Sequence, residues 1–252
     1  MKIIPLGVGG AFTKTSYHNN YIIQLDEKCI LIDAGTTLRY SLLEAGFHYR
    51  DIDFIFISHL HFDHVGGLEE LVLQRFWHFE GGEHIPQKTT VIIHEKLLDS
   101  LKTLLSNGLE NQGKTVDDFC EFICLNDSDN YKIGDYVFST FDTSNTHAVG
   151  MLSFGFKLAR EDLNIVFSSD VKRLEDANLL KQIDDNTTAI FQDVSFTFNG
   201  AHSTLQEVLD YYPENLHRNI YAMHYNDNVE NFLDAIERSH IQLVKKQKII
   251  EF

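Results

Sequence analysis

The stretch FIFISHLHFDHVGG, residues 54–67, decides how the rest of the chain is read. Phe54, Ile55, Phe56 and Ile57 form an apolar run of strand-forming residues that stops at Ser58. His59, His61, Asp63 and His64 then follow within six residues, and Gly66 and Gly67 come next. A short apolar run bounded by turn residues reads as a buried strand. In extended chain alternate side chains share a face, so His59 and His61 point the same way at the strand end. Asp63 and His64 follow as the chain bends toward a helix beginning near Gly67. Two ligand pairs on adjacent backbone suit two neighbouring metal ions. Imidazole nitrogen and carboxylate oxygen are zinc ligands, with manganese or iron as substitutes. A solvated histidine-rich turn is the plain alternative, and the apolar strand before it and the Gly-Gly after it argue against that.

Outward from this stretch the chain alternates between strand and helix patterns. MKIIPL, YIIQL and CILIDAG read as strands, and TTLRYSLLEAG reads as a helix stopped by Gly46. GLEELVLQRFWHF reads as a helix, EGGEHIPQKTT as a loop, TVIIH as a strand, and EKLLDSLKTLLSNG as a helix ending at Gly108. In the second half YVFSTFDTSNTH, LSFGFKLA, NIVFSSD, TAIFQDVSF, NIYAMHY and QKIIEF read as strands. RLEDANLLKQ, STLQEVLDYY and VENFLDAIERS read as helices, the second opened by a Thr204/Glu207 capping box. This mixture predicts a layered α/β architecture with helices on both outer faces. Candidate strands repeatedly end in a chemically capable residue: Asp33, Ser58 with His59, Asp142 leading to His147, Asp170, Asp193 and His224. Ligands at strand ends would converge on one rim of such a fold.

The 252 residues, 43% hydrophobic and 23% charged, suffice for one large domain with its own core, expected here over 1–252. No segment approaches the roughly 18 apolar residues in a row of a membrane span. The opening apolar run is too short for a signal peptide, so the chain is read as cytosolic. Three cysteines, Cys29, Cys120 and Cys124, do not make a disulfide scaffold and read as structural thiols. A formal charge of −16 with only VKKQK as a dense basic run disfavours long nucleic acid as a partner. A small anion held at a metal centre fits that balance better.

SHLHFDHVGG resembles the signature of the metallo-β-lactamase fold, a four-layer αββα sandwich with a dinuclear site between its sheets. Later segments resemble its remaining ligand positions in order: SNTHAVG gives His147, IVFSSDVKR gives Asp170, and YAMHYN gives His224. The resemblance implies that His59, His61 and His147 hold one metal, that Asp63, His64 and His224 hold the other, and that Asp170 bridges them. It implies two divalent ions, zinc first and manganese second. FQDVSF followed by AHST is similar to the acid–base segments of tRNase Z enzymes, with Asp193 and His202 at the dyad positions. Gln192 stands where that pattern has histidine, and Asp193 is one methylene shorter than its glutamate.

The tRNase Z enzymes carry a long arm that grips tRNA, and no Gly-Pro-rich basic arm is visible here. A compact, arm-less chain with the opening PLGVGGAFTKTSYHNNYII is most similar to the anti-Pycsar phosphodiesterases of Bacillus phages and their bacterial relatives. That resemblance implies hydrolysis of 3′,5′-cyclic nucleotides (cCMP, cUMP, cAMP, cGMP) to 5′-monophosphates, evasion of cyclic-nucleotide-based anti-phage immunity, and a homodimer. Bound metal brings the pKa of water to about 7. Asp63 is expected to orient the attacking hydroxide as well as to ligate, and His202, positioned by Asp193, to protonate the leaving oxygen or stabilise the phosphorane oxygens. Phe76, Trp77 and Phe79 offer an aromatic face for a base, with core or dimer packing as the plainer reading. SNGLENQGKTVDDF reads as a flexible loop able to cover a site, across a dimer if not within a chain. The rival activities are a tRNase Z-like RNA endonuclease and a hydrolase of esters, lactones or thioesters. The rival of another class is a non-enzymatic metal-binding scaffold, which a gap in the ligand set would mark.

Overall fold

The computed structural model describes residues 1–252 and contains two seven-stranded sheets packed face to face. Across the N-terminal sheet the strands run Ile250–Glu251, Lys2–Pro5, Tyr21–Leu25, Lys28–Ile32, Phe54–Phe56, Thr89–His94 and Cys120–Leu125. The last four are mutually parallel. Across the C-terminal sheet they run Gln242–Leu243, Ile220–Met223, Thr187–Asp193, Leu163–Phe167, Phe154–Arg160, Tyr136–Asp142 and Tyr131–Ile133. There the first four are parallel and the rest antiparallel. Helices Leu68–Phe76 and Glu95–Leu109 pack on the N-terminal sheet, and Tyr212, just after the helix Leu205–Tyr211, donates to Gln192 on the outer face of the C-terminal sheet. The expected αββα layering is the layering observed.

One aromatic ladder fastens the two sheets. Phe138, Phe156, Phe167, Phe191 and Tyr221 come one from each of five adjacent C-terminal strands. Their rings stack in sequence at centroid separations of 4.8, 4.5, 4.2 and 5.0 Å. From the other sheet Phe56 meets Phe138 and Phe156, and Tyr21 meets Phe167 and Phe191. Burying each such ring contributes about 2–3 kcal/mol, and ring pairs add about 0.5–1.5 kcal/mol. The strand period of two puts Asp193 on the same face as Phe191, so the ladder also aims Asp193 into the space between the sheets.

Three local expectations differ from the structure. The helix expected through Phe79 ends at Phe76, and Phe79–Glu80 pairs with Glu83–His84 in a small hairpin. Gly81 and Gly82, at φ +60° and +89°, supply the two left-handed residues of a tight hairpin turn. Gly108 does not stop its helix, which runs on to Leu109; a Cβ there would collide with the Glu69 carboxylate. RLEDANLLKQ is split at Asn178, whose φ of 50° ends an α-helical turn and begins a 3-10 turn.

Candidate active site

All seven ligand candidates come together at the C-terminal ends of strands, where the two sheets meet. His59, His61, Asp63 and His64 follow the strand Phe54–Phe56, and Asp170 follows Leu163–Phe167. His224 follows Ile220–Met223, and His147 lies on the loop after Tyr136–Asp142. The local backbone is built for this convergence. Asp33, Ser169 and His224 have φ of +57°, +60° and +60°, a conformation that non-glycine residues rarely adopt and that clusters at functional sites. Gly35 lies so close to the Asp63 backbone that a Cβ would collide with its carbonyl oxygen.

The donor atoms form two groups that share one carboxylate oxygen. In the first, His61 Nδ1 lies 3.1 Å from His59 Nε2 and 3.2 Å from His147 Nε2. Asp170 Oδ2 lies 3.8 Å from His59 Nε2 and 3.7 Å from His147 Nε2. In the second, His64 Nε2 is 3.3 Å from both Asp63 Oδ2 and Asp170 Oδ2, and His224 Nε2 is 3.2 and 3.4 Å from the same two oxygens. Tetrahedral zinc with Zn–N bonds of about 2.0–2.1 Å needs ligand atoms about 3.3–3.4 Å apart. The second group has that spacing at 3.2–3.4 Å, and the first spreads around it from 3.1 to 3.8 Å. The buried atom His64 Nε2 has no hydrogen-bond partner, as expected of a donor directed at a cation. This His/Asp set fits a divalent metal centre.

Three of the histidines are also held from behind, which fixes their orientation and tautomer. His64 Nδ1 donates to Asp33 Oδ2 at 2.7 Å, and His147 Nδ1 donates to the Ala201 carbonyl at 2.7 Å. Ser58 Oγ lies 3.1 Å from His59 Nδ1 and itself donates to Asp33 Oδ2 at 2.8 Å. Asp33 and Ser58 were legible only as polar strand ends, and the Ala201 carbonyl carries no sequence letter at all. Burial alone would raise the Asp170 carboxyl, but His224, His64 and His59 hold it well below the usual carboxylate range. Burial lowers His59 well below the ordinary imidazole value, helped by His64.

His202 and Asp193 stand beside this cluster as expected. His202 Nδ1 donates to Asp193 Oδ2 at 2.7 Å, and its ring lies 4.7 Å from those of His147 and His224. Burial acts to lower the His202 pKa, yet the charge and hydrogen bond of Asp193 outweigh it and bring the group up to about 9. Asp193 does more than hold His202. Its Oδ2 accepts from the Val171 amide at 3.0 Å, and its unpartnered Oδ1 lies 3.6 Å from His224 Nδ1. Gln192, the departure from the tRNase Z pattern, points to the other side of the strand, where Tyr212 donates to its Oε1 at 2.8 Å. It takes no part in the site.

The two substrate-contact expectations are not brought to this centre. Phe76 is buried against Phe119, and Trp77 and Phe79 stack on His84 in the outer hairpin. The segment expected as a flexible loop carries the short helix Val116–Phe119, whose Val116 and Phe119 are buried. Within one chain it is part of the outer helix layer.

The protein is 29% identical over 255 aligned residues to "Anti-Pycsar protein Apyc1" of Bacillus phage vB_BsuM-Goe3, covering 94% of this chain and 93% of that one. It is 30% identical to the protein of the same name from Paenibacillus sp. (strain J14), covering 93% of each. The crystal structure of the metallo-β-lactamase fold protein YhfI from Bacillus subtilis superposes with a TM-score of 0.72 at 14% identity, over 100% of this chain and 98% of that one. The fold is therefore the metallo-β-lactamase fold. A family model described as "Anti-Pycsar protein Apyc1" matches residues 1–250, and the chain belongs to that family.

Proposed function

We propose that this protein is a metal-dependent phosphodiesterase that opens 3′,5′-cyclic nucleotides, cCMP, cUMP, cAMP and cGMP among them, to 5′-monophosphates. The biological purpose that goes with it is removal of a cyclic-nucleotide immune signal. The observation that carries the reading is the pairing of two donor groups sharing Asp170 Oδ2 with a hydrogen-bonded His202–Asp193 pair alongside. Such a constellation offers a seat for a phosphodiester and a separate proton donor. Membership of the Anti-Pycsar family supports the choice of a cyclic nucleotide over RNA.

In this reading His59, His61 and His147 would hold one ion and Asp63, His64 and His224 the second, with Asp170 available to both. Two divalent cations, zinc first, supply Lewis acidity toward the phosphate oxygens and lower the pKa of an attacking water. The residues of the chain do the rest. Asp63 orients the water for attack in line with the 3′ oxygen. His202 Nδ1 is committed to Asp193, which leaves Nε2 to deliver a proton to that oxygen as the P–O3′ bond breaks. Hydroxyl stays on phosphorus and the proton ends on the 3′ oxygen, which gives a 5′-monophosphate.

The test is incubation of purified protein with the four cyclic nucleotides and a precursor tRNA, each with and without a strong chelator. Chelator-sensitive loss of cyclic nucleotide with intact tRNA is expected. Cleavage of the tRNA alone would replace the reading with an endonuclease. We also propose a homodimer: light scattering should give twice the chain mass of 29.0 kDa, and a mass equal to one chain contradicts it.

A further inference from the structure

We propose that Phe12 and Phe62 together form the platform on which the nucleobase of the substrate stacks. The inference rests on the cyclic-nucleotide reading above and adds the base-contacting residues to it. Phe62 lies between His61 and Asp63, inside the ligand segment, yet its side chain is 46% exposed. Phe12 is 81% exposed, and the two ring centroids are 6.1 Å apart at 44°. Phe62 also meets His18 edge to face, with ring centroids 5.7 Å apart.

The loop that carries Phe12 is pinned. Gly10 N donates to Tyr225 O and Tyr225 N to Val8 O, both at 3.2 Å, so the loop is tied to the residue after His224. A Cβ on Gly10 would stand 3.2 Å from His224 Cε1, which places the backbone directly against a ligand ring. Beyond Phe12, Lys14 N donates to Asp227 Oδ2 at 2.6 Å, and the hydroxyls of Thr13 and Thr15 donate to Oδ1 at 2.5 and 2.9 Å. Thus a phenyl ring is held out into water by a fixed loop whose Gly10 adjoins the His224 ring.

Single exposed apolar side chains are ordinary, but two that adjoin at a site's rim mark a binding surface. Inclined at 44°, one of the two rings can stack on a base while the other meets its edge. They are far smaller than the roughly 800 Å² per partner that a stable interface between copies buries. Ring stacking is tolerant of base identity because every base has a π face, which suits an enzyme acting on several cyclic nucleotides. The aromatic hairpin of Trp77 and Phe79 has no such relation to the cluster, since its rings are occupied by His84.

The experiment compares wild type, Phe12→Ala and Phe12→Trp on cCMP, on cAMP and on a ribose 3′,5′-cyclic phosphate with a methoxy group in place of the base. Phe12→Ala should raise KM for both nucleotides about 5- to 100-fold with kcat little changed. The kcat/KM preference for nucleotide over abasic substrate should fall by the same factor, and Phe12→Trp should restore both. An unchanged nucleotide KM in Phe12→Ala overturns the platform. So does a rise that is equal on the abasic substrate. A drop in oligomeric mass with unchanged KM would assign Phe12 to contact between copies and also overturns it. If wild type turns over neither nucleotide, the function itself is wrong and the platform falls with it, an outcome visible before any variant is made.

Discussion

Asp33 reaches across 31 residues of chain to hold His64, Oδ2 to Nδ1, at 2.7 Å. The same carboxylate accepts from the Ser58 amide and hydroxyl at 2.8 Å each, and Ser58 Oγ touches His59 Nδ1. One buried side chain thus orients a histidine of each donor group. Removing such an outer partner commonly costs 10- to 100-fold in metal affinity or activity. Asp33→Asn is the clean variant, because asparagine tolerates the φ of +57° that alanine would resist. Chelator competition should show metal affinity about 10-fold or more weaker in folded Asp33→Asn. Unaltered affinity and turnover would remove Asp33 from the account.

Parts of this site could be read directly from residues and parts could not, for physical reasons. The spacing His-x-His-x-Asp-His is local, so one stretch displayed four donors at once. His147, Asp170 and His224 are single letters, made visible by their order along a resembling chain. The outer partners Asp33 and the Ala201 carbonyl come from elsewhere in the chain, and a carbonyl belongs to every residue. Gln192 looked like a defect in the dyad until the strand period put it on the opposite face from Asp193. The hairpin Phe79–His84 was written as Gly81-Gly82 but was masked by helical spacing up to Phe76. Phe12 was unremarkable in sequence, since exposure is a property of the fold.

His202 is expected to act on chemistry and not on metal binding. His202→Ala should keep fold and metal content and lose about 10²- to 10⁴-fold in rate on a cyclic nucleotide. A p-nitrophenyl phosphodiester, whose leaving group needs no proton, should suffer far less. Equal losses on both substrates would make His202 a binding group. Asp193 is tied also to Val171 N and stands near His224 Nδ1, so Asp193→Ala should lose metal as well as rate. Full metal retention in Asp193→Ala would separate it from His224.

The cysteines should behave as their burial dictates. Cys29 and Cys120 are buried, and desolvation pushes each thiol up to about 12. Cys124 is exposed, with its pKa raised more modestly by partial burial. The thiolate is the reacting form, so labelling by an aromatic disulfide reagent should accelerate about tenfold per pH unit below the thiol pKa. One thiol per folded chain should react at pH 8, and all three after unfolding. Three fast thiols in the folded protein would contradict the packing of the strands that carry Cys29 and Cys120.

The most direct test of the whole account is phosphorus NMR of cCMP incubated with metal-loaded protein, beside the Asp170→Ala variant. The cyclic phosphodiester signal should be replaced by that of a 5′-monophosphate, with no 3′-monophosphate. Chelator should stop the conversion, and Asp170→Ala should abolish nearly all of it. A cyclic signal that persists beside fully loaded wild-type protein, or full activity in Asp170→Ala, would contradict it.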